Sequence, residues 1–195
     1  MLIKICGITN LDDALASIES GATALGFNFY PPSPRYIAPE AAAKITERLP
    51  AGITTVGVFV NGETVETARI VGLDVVQLHG DESPQQIPAG LRTWKAFRVK
   101  PDFSAATMDA WPVEAFLLDS PSEVYGGSGH TFDWRLARGA GRNIILAGGL
   151  DAQNVRAAIE QAQPFGVDAC SRLESSPGRK DHQKVSQFIK AALNI

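Results

Sequence analysis

Eight short apolar segments recur along the 195-residue chain, and this recurrence constrains the fold more than any other feature of the sequence. Each segment is rich in β-branched or aromatic residues and ends at Gly, Pro or polar residues, a pattern typical of buried β-strands. The predicted strands are LIKIC (2–6), ALGFNF (24–29), TTVGVFV (54–60), VVQLH (75–79), TWKAFRV (93–99), AFLLD (115–119), NIILAG (143–148) and FGVDACS (165–171).

Amphipathic segments, predicted to be helices, lie between these strands. Residues 10–21 begin at an Asn cap, carry acidic residues early and place their apolar residues on one face. Similar patterns occur at 38–49, 151–162 and 181–193. The connections at 81–90 and 101–112 are interrupted by Pro and show weak periodicity, so helices four and five are predicted to be only a turn or two long.

Strands that alternate with helices form parallel sheets, because a parallel pair needs a crossover connection. Eight such units predict a compact α/β fold with a single domain over residues 1–195, the (β/α)8 or TIM barrel. An open, doubly wound sheet is the alternative, although no G-x-G-x-x-G motif follows the first strand. In such a barrel the functional residues lie at the C-terminal ends of the strands and in the loops that follow.

Charge and composition argue against several classes of function. The formal net charge is −3, from 18 basic and 21 acidic residues without a block of like charge, so no nucleic-acid or membrane-surface partner is expected. No signal-peptide pattern opens the chain, and no apolar stretch reaches the roughly 18 residues of a membrane span. The two cysteines, Cys6 and Cys170, lack metal-ligand spacing, which favours a reduced, cytoplasmic protein without a metal site.

Polar residues stand at the ends of six predicted strands or in the adjoining loops: Cys6, Arg35, His79, Asp119, Gly148 with Gly149, and Asp168. Structural alternatives exist, because Cys packs as a small hydrophobe, Arg pairs at surfaces, and His or Asp begins turns. Asp119 is the hardest to explain by packing, since a carboxylate at the end of a buried run is costly unless it is paired or hydrogen-bonded.

Two glycines, Gly148 and Gly149, separate the seventh strand from a predicted helix. Glycine lets backbone N–H groups approach an anion, and a helix N-terminus adds its dipole. Phosphate sites in these barrels use the loops after strands seven and eight, and the eighth loop, ACSRLESSPGRKD at 169–181, offers further amides. The Gly-rich loop at 126–134 suits a lid over the substrate, although packing of its Phe132 and Trp134 on the barrel is the favoured interpretation.

Seven motifs follow one another along the chain: KICGIT (4–9), GFNFYPPSPRYI (26–37), VGVFVN (56–61), VQLHG (76–80), LLDS with YGGSGHTFDW (117–134), LAGGLDAQNV (146–155) and ESSPGRKD (174–181). In this order they resemble the landmarks of the phosphoribosylanthranilate isomerase family of tryptophan biosynthesis. The combination is highly specific, although no single motif is.

The resemblance implies the third step of tryptophan synthesis from chorismate, an Amadori rearrangement that needs no metal or organic cofactor. N-(5′-phosphoribosyl)anthranilate would become 1-(2-carboxyphenylamino)-1-deoxyribulose 5-phosphate. Carried over by position, Cys6 is the general base, Asp119 the general acid and Arg35 the partner of the anthranilate carboxylate. The other implied contacts are His79 and Asp168 to the substrate, and Gly148, Gly149, Cys170, Ser171 and Arg172 to the phosphate. A thiol base needs thiolate character, so we expect a lowered pKa for Cys6.

The eighth loop departs from the family pattern, because Cys170–Glu174 reads CSRLE where the family commonly has Ser-Ser-Gly-Val-Glu. The Arg172 guanidinium either contacts the phosphate or points to solvent, alone or paired with Glu174. The second reading is favoured, since Arg supplies a backbone N–H as well as Gly does when φ is negative. Competing hypotheses are another phosphate-binding barrel, such as a pentose-phosphate epimerase or the histidine-pathway isomerase, and an inactive barrel used as a binding module. A monomer is expected.

Overall fold

The computed structural model describes residues 1–100, 102–120, 133–138 and 142–195. Eight of its strands are β1 (Leu2–Cys6), β2 (Ala24–Asn28), β3 (Thr54–Phe59), β4 (Val75–Leu78), β5 (Arg92–Arg98), β6 (Ala115–Asp119), β7 (Ile144–Leu146) and β8 (Gly166–Ala169). They are parallel and form one closed barrel in chain order, with β1 paired to β8. The predicted TIM barrel is confirmed, and the open-sheet alternative is wrong because the first and last strands are hydrogen-bonded.

The described residues form five α-helices outside the barrel: α1 (Leu11–Glu19), α2 (Pro39–Thr46), α3 (Val65–Val71), α4 (Val155–Ala162) and α5 (His182–Leu193). In the described residues of the connections after β4 and β5, the helical segments are the 3-10 helices Pro84–Gln86 and Ala105–Ala110, which agrees with the short helices predicted there. A third 3-10 helix, Trp134–Ala137, follows β6. None of the described residues forms a helix long and apolar enough to cross a membrane.

Hydrogen bonds of Asn side chains affect where α1 and α4 begin. Asn10 accepts a hydrogen bond from Asp13 N, as the predicted Asn cap of α1 should. Helix α4 begins at Val155, four residues later than predicted. The reason is that Asn154 accepts from Asp151 N at 3.0 Å and donates to Gly149 O at 2.8 Å, which holds the preceding residues in turns.

The barrel interior is filled by a small apolar cluster: Ala24, Val56, Val75, Trp94, Ala96, Ala115, Leu117, Ile145 and Ala147. A larger cluster lies between the strands and the helices. Residues alternate between these two sides along each strand, so Cys6 and Asp119, at the C-terminal ends of β1 and β6, continue the inward-facing series. The cluster fills the barrel below them, so the cavity beside Cys6 and Asp119 lies at the C-terminal end.

A small antiparallel hairpin, which the sequence did not predict, follows β8. Its strands are β9 (Glu174–Ser176) and β10 (Arg179–Lys180). The connecting turn uses Gly178, whose φ of +80° is accessible to glycine at low cost. Asp13 of α1 accepts a hydrogen bond from Lys180 N at 2.8 Å, so the hairpin is anchored beside the end of β1.

Candidate active site

All ten residues selected from the sequence line one cavity at the C-terminal end of the barrel, with about 830 Å³ of empty space. They are Cys6, Arg35, His79, Asp119, Gly148, Gly149, Asp168, Cys170, Ser171 and Arg172. This volume includes open solvent at the mouth of the cavity. Of the proposed lid, residues 126–132 lie outside the described part of the chain, whereas Trp134 packs against the hydrophobic core.

Cys6 ends β1, and two glycines make room around it. Gly26 of β2 pairs with Cys6 in the sheet, and a Cβ at Gly26 would lie 2.8 Å from the Cys6 Sγ. Gly7 has φ +75°, and a Cβ there would lie 2.9 Å from the Cys170 Sγ and 3.0 Å from the Arg35 Cδ. Gly7 therefore permits the close approach of two site side chains, which explains the Cys-Gly step in the first motif.

A buried ion pair lies one layer below Cys6. Lys4 is fully buried, and its Nζ lies 2.8 Å from Asp168 Oδ1. Burial alone would lower the pKa of Lys4, but the Asp168 carboxylate and Cys6 raise it above its ordinary value, so Lys4 stays protonated. Asp168 lines the cavity as predicted, yet this oxygen is engaged by Lys4. The sequence analysis missed Lys4, although a lysine inside an apolar run was a signal.

The two cysteines line the same cavity, and their side chains are near enough for each to shift the pKa of the other. This contact and burial raise the pKa of Cys6 well above the ordinary thiol value, although Lys4 opposes the shift. The contact lowers the pKa of Cys170 to about 7, helped by the charges of Lys180 and Arg35. The shift of Cys6 is therefore opposite to the lowered pKa that we expected, because burial and the neighbouring thiol oppose its ionisation.

Arg35, in the loop after β2, is held by the hairpin. Its Nε and Nη2 donate to the two carboxylate oxygens of Glu174 at 2.9 and 2.7 Å, and only 12% of its side chain is exposed. Lys180 Nζ lies 3.1 Å from the same carboxylate. Two of the five N–H groups of the guanidinium are thus occupied, and the other three donate to no group in the described part of the chain, so they are open to a ligand. Glu174 and Lys180 were not selected from the sequence as site residues.

Asp119 ends β6 on the opposite side of the cavity, and two groups orient it. Ser120 N donates to Asp119 Oδ1 at 2.8 Å, and the Nε2 of His79 lies 3.5 Å from Asp119 Oδ2. Gln77 Nε2 lies 2.9 Å from the Nδ1 of His79. With the amide in this orientation Nδ1 accepts, so the ring proton is on Nε2 and faces Asp119. The sequence contained no signal for Gln77, which lies on β4.

Backbone amides line a third side of the cavity. Gly148 and Gly149 have φ of +82° and +65°, and a Cβ at Gly148 would lie 2.5 Å from Ser120 N. Among the described residues, the N–H groups of Gly148, Gly149 and Ser171 donate to no backbone carbonyl. Because backbone donors need partners, these amides are available to an anion. The helix dipole contributes less than expected, since α4 begins only at Val155.

Arg172 lies at the edge of this amide group. Its Nη1 is 3.6 Å from Asp151 Oδ2, and half of its side chain is exposed. Arg172 is not among the described non-glycine residues with positive φ. Its backbone conformation is therefore one that Arg adopts as readily as the Gly found here in other members of the family. Glu174, the partner considered from the sequence, is bound to Arg35 and Lys180 instead. In the described part of the chain, no group of three or more His, Cys, Asp or Glu residues is placed to hold a metal ion.

Comparisons with known proteins agree with this geometry. The model of the family described as N-(5'phosphoribosyl)anthranilate (PRA) isomerase matches residues 3–191. The N-(5'-phosphoribosyl)anthranilate isomerase of Solibacter usitatus is 57% identical over 196 residues, which cover 98% of this chain and 97% of the relative. The Pelobacter propionicus protein of the same name is 50% identical over 199 residues, covering 97% and 94%.

Solved structures give the same result. Phosphoribosyl anthranilate isomerase from Thermotoga maritima has a TM-score of 0.91 and 44% identity, with full coverage of both chains. Another structure of such an isomerase, in complex with reduced 1-(o-carboxyphenylamino)-1-deoxyribulose 5-phosphate, has a TM-score of 0.87 and 41% identity over both full chains. The chain described here belongs to the N-(5'-phosphoribosyl)anthranilate isomerase family.

Proposed function

We propose that this chain isomerises N-(5′-phosphoribosyl)anthranilate by general acid–base catalysis, with Asp119 as the acid and Cys6 as the base. The observation that supports these roles is that a thiol and a carboxylate line one cavity, which also contains a set of backbone amides and an arginine. This arrangement offers one partner for each reactive or charged part of the substrate.

Binding uses two anionic groups of the substrate at different sides of the cavity. The phosphate accepts hydrogen bonds from the N–H groups of Gly148, Gly149 and Ser171, and the amide of Arg172 extends this set. The anthranilate carboxylate accepts from the N–H groups of Arg35 that Glu174 leaves available. A relative that binds a reduced product analogue, which also carries a phosphate and a carboxyl group, supports this assignment.

The first chemical step is ring opening. Protonated Asp119 donates its proton to the furanose oxygen, the C1–O bond breaks, and the open-chain Schiff base forms. Ser120 N–H and His79 Nε2–H orient the carboxyl group and stabilise the carboxylate that remains. His79 therefore acts on Asp119 and at the same time lines the site as a substrate contact.

The second step is proton removal at C2. The Cys6 thiolate takes the C2 proton, the electron pair of the C–H bond moves toward the protonated imine nitrogen, and the enolamine tautomerises to the ketone. Lys4, held by Asp168, supplies positive charge next to the sulfur. The scheme needs no metal and no organic cofactor.

The decisive experiment measures isomerisation with the labile substrate generated in situ. Cys6→Ser and Asp119→Asn should bind substrate but lose about 10²–10⁴-fold in kcat, the usual contribution of a positioned acid or base. Arg69→Gln, on the exposed surface of α3, is the matched control and should keep full activity. Near-normal kcat in either site variant would overturn the role assigned to that residue, and no turnover by the wild type would overturn the function.

We further propose a cytoplasmic monomer. Both cysteines are free thiols, which suits a reducing compartment. The isomerase from Thermotoga maritima is dimeric, and monomers of it have been generated, so the proposed monomer differs from the natural state of that relative. Light scattering of the purified chain should give the mass of one subunit, and cell fractionation should place the protein with the cytoplasmic markers. A dimer mass or a membrane-bound pool would contradict the respective proposal.

A further inference from the structure

Cys6 is the last residue of β1, and Cys170 is the first residue after β8, the strand next to β1 in the barrel. Ile5 and Ala169 are the last paired residues of β1 and β8, and each cysteine is the next residue on its chain. Lys4 and Asp168 form the pair one layer below, on the same inner face. Because each cysteine directly follows a residue of the last β1–β8 pair, the closure of the barrel brings the two thiols to the same end of the cavity.

The charges around the two sulfurs are unequal. Lys4, Arg35 and Lys180 are cations, whereas Asp168 and Glu174 are the carboxylates that face the same pair. One positive charge is therefore left over when both sulfurs are protonated. Removal of one proton makes the buried group neutral, and removal of both would create a net negative charge at high cost.

Each sulfur has its own cationic neighbour. Lys180 Nζ lies 3.8 Å from the Cys170 Sγ and 3.3 Å from the Cys170 carbonyl oxygen. Lys4, two residues before Cys6 on β1, is the cation whose charge favours the Cys6 thiolate. When it is protonated, Cys170 can also donate to Glu174 Oε1 at 3.9 Å. Either sulfur can thus carry the negative charge while the other carries the proton.

We propose that Cys170 is a positioning residue for the base: the two sulfurs share one proton, and Cys170 accepts it when the substrate arrives. This rests on the proposed role of Cys6. In the free protein the Cys6 S–H donates to the Cys170 thiolate. Transfer breaks the Cys6 S–H bond and forms a Cys170 S–H bond, which leaves the Cys6 thiolate ready to remove the C2 proton.

Substrate binding supplies the direction of this transfer. Arg35 is one of the cations that stabilise the Cys170 thiolate. When the substrate carboxylate binds Arg35, it offsets part of that positive charge and weakens the stabilisation. Lys4 is buried behind Cys6 and paired with Asp168, so its charge is unaffected by the substrate. Once the substrate is bound, the thiolate is therefore more stable on Cys6 than on Cys170.

The pH dependence of kcat/KM tests the proposal, because a merely structural role of Cys170 would not move it. In Cys170→Ser, the sulfur next to Lys180 that shares the proton of Cys6 is missing. The acidic limb of the pH profile of kcat/KM should therefore move up by about one pH unit. Activity should then be about tenfold below wild type near pH 6 and nearly equal near pH 9. Ser176→Ala, in an exposed position of the same loop, should match wild type throughout. An unmoved limb, with or without a uniform loss of activity, would overturn the proposal.

Two measurements that do not depend on turnover, an ultraviolet titration and a thiol oxidation, separate this proposal from the assignment of Cys6 as the base. Ultraviolet titration of wild type should show one thiolate per chain appearing near pH 7, with the second only far above the ordinary thiol range. Two thiolates that titrate together would contradict a shared proton. If Cys6→Ser keeps full activity, the base assignment fails, and the titration still decides whether the proton is shared.

Oxidation tests the contact between the sulfurs directly. Neighbouring strands lie about 4.8 Å apart, inside the Cα separation of about 4.4–6.8 Å that a disulfide needs. A low-molecular-weight disulfide should accept two electrons, form one Cys6–Cys170 bond and release two thiols, with loss of activity that dithiothreitol restores. Peptide mapping should find the crosslink, and mixed disulfides at both cysteines without a crosslink would overturn the contact.

Discussion

Replacement of Lys4 by Met should reveal how strongly the barrel depends on one buried ion pair. Lys4 is 0% exposed, and the side chain of its partner, Asp168, is 10% exposed at 2.8 Å. In Lys4→Met the carboxylate loses this partner while it remains next to the two sulfurs. Breaking one half of a buried pair costs about 3–5 kcal/mol, against a total stability of about 5–15 kcal/mol for a typical protein.

Urea and thermal unfolding, followed by circular dichroism, measure this cost. For a chain of this size the loss corresponds to a Tm lower by roughly 6–20 °C. Lys4→Met combined with Asp168→Asn should recover much of it, because the double variant contains no unpaired buried charge. The coupling between the two substitutions, obtained from the double-mutant cycle, isolates the pair from the packing of the lysine stem.

A second ion pair provides the matched control. Arg92 and Glu114 form a bidentate pair of similar length, 2.8 and 2.7 Å, but their side chains are 54% and 36% exposed. Arg92→Met should cost no more than about 1 kcal/mol, since water replaces the lost partner. If Lys4→Met costs as little as Arg92→Met, or if the double variant loses the full sum of the single losses, the argument from burial is refuted.

Three further outcomes are expected. Gly148→Ala places a Cβ 2.5 Å from Ser120 N at φ +82°, so KM should rise at least about tenfold, whereas Gly90→Ala, at φ +75° with nothing within 4 Å, should change stability but not KM. Burial raises the pKa of Glu174, but the hydrogen bond from Arg35 and the charge of Lys180 lower it below its ordinary value of 4.5. The Glu174 carboxylate therefore contributes its full stabilisation above pH 4.5, and this contribution is lost as the pH falls through the pKa of Glu174 in the folded protein. Glu174→Gln should be less stable near neutral pH and lose less Tm on acidification; an equally steep acid limb would contradict the assignment. Finally, we propose that residues 1–195 are one domain, so fluorescence and circular dichroism should show a single, coincident unfolding transition, and two separate transitions would exclude this.

The barrel could be predicted because its information is local. The run LIKIC predicted β1 with the bounds that the structure has, and AFLLD did the same for β6. A short apolar run indicates a buried strand by itself, so the strand can be predicted without knowing which distant residues it contacts. The placement of functional residues also followed, because parallel strands bring all their C-terminal ends to one side of a barrel.

Local signals failed where the structure depends on few residues or on turns. The strands β9 and β10 have three and two residues, too few for any periodicity to appear. The beginning of α4 was predicted too early because the sequence did not reveal the hydrogen bond from Asn154 to Gly149 O, which ties the turn to the preceding loop.

The sequence alone thus determined the eight strands, their order and the end of the barrel at which Cys6 and Asp119 stand. Only the tertiary structure decided which groups these residues meet. Arg35 binds Glu174 across 139 residues of chain, and Lys4 binds Asp168 across 164. These pairs exist because the barrel closes in one register, and register depends on hydrogen bonds between strands that are distant in sequence. The charge state of the thiols follows from those pairs, so it could not be deduced before the barrel was closed.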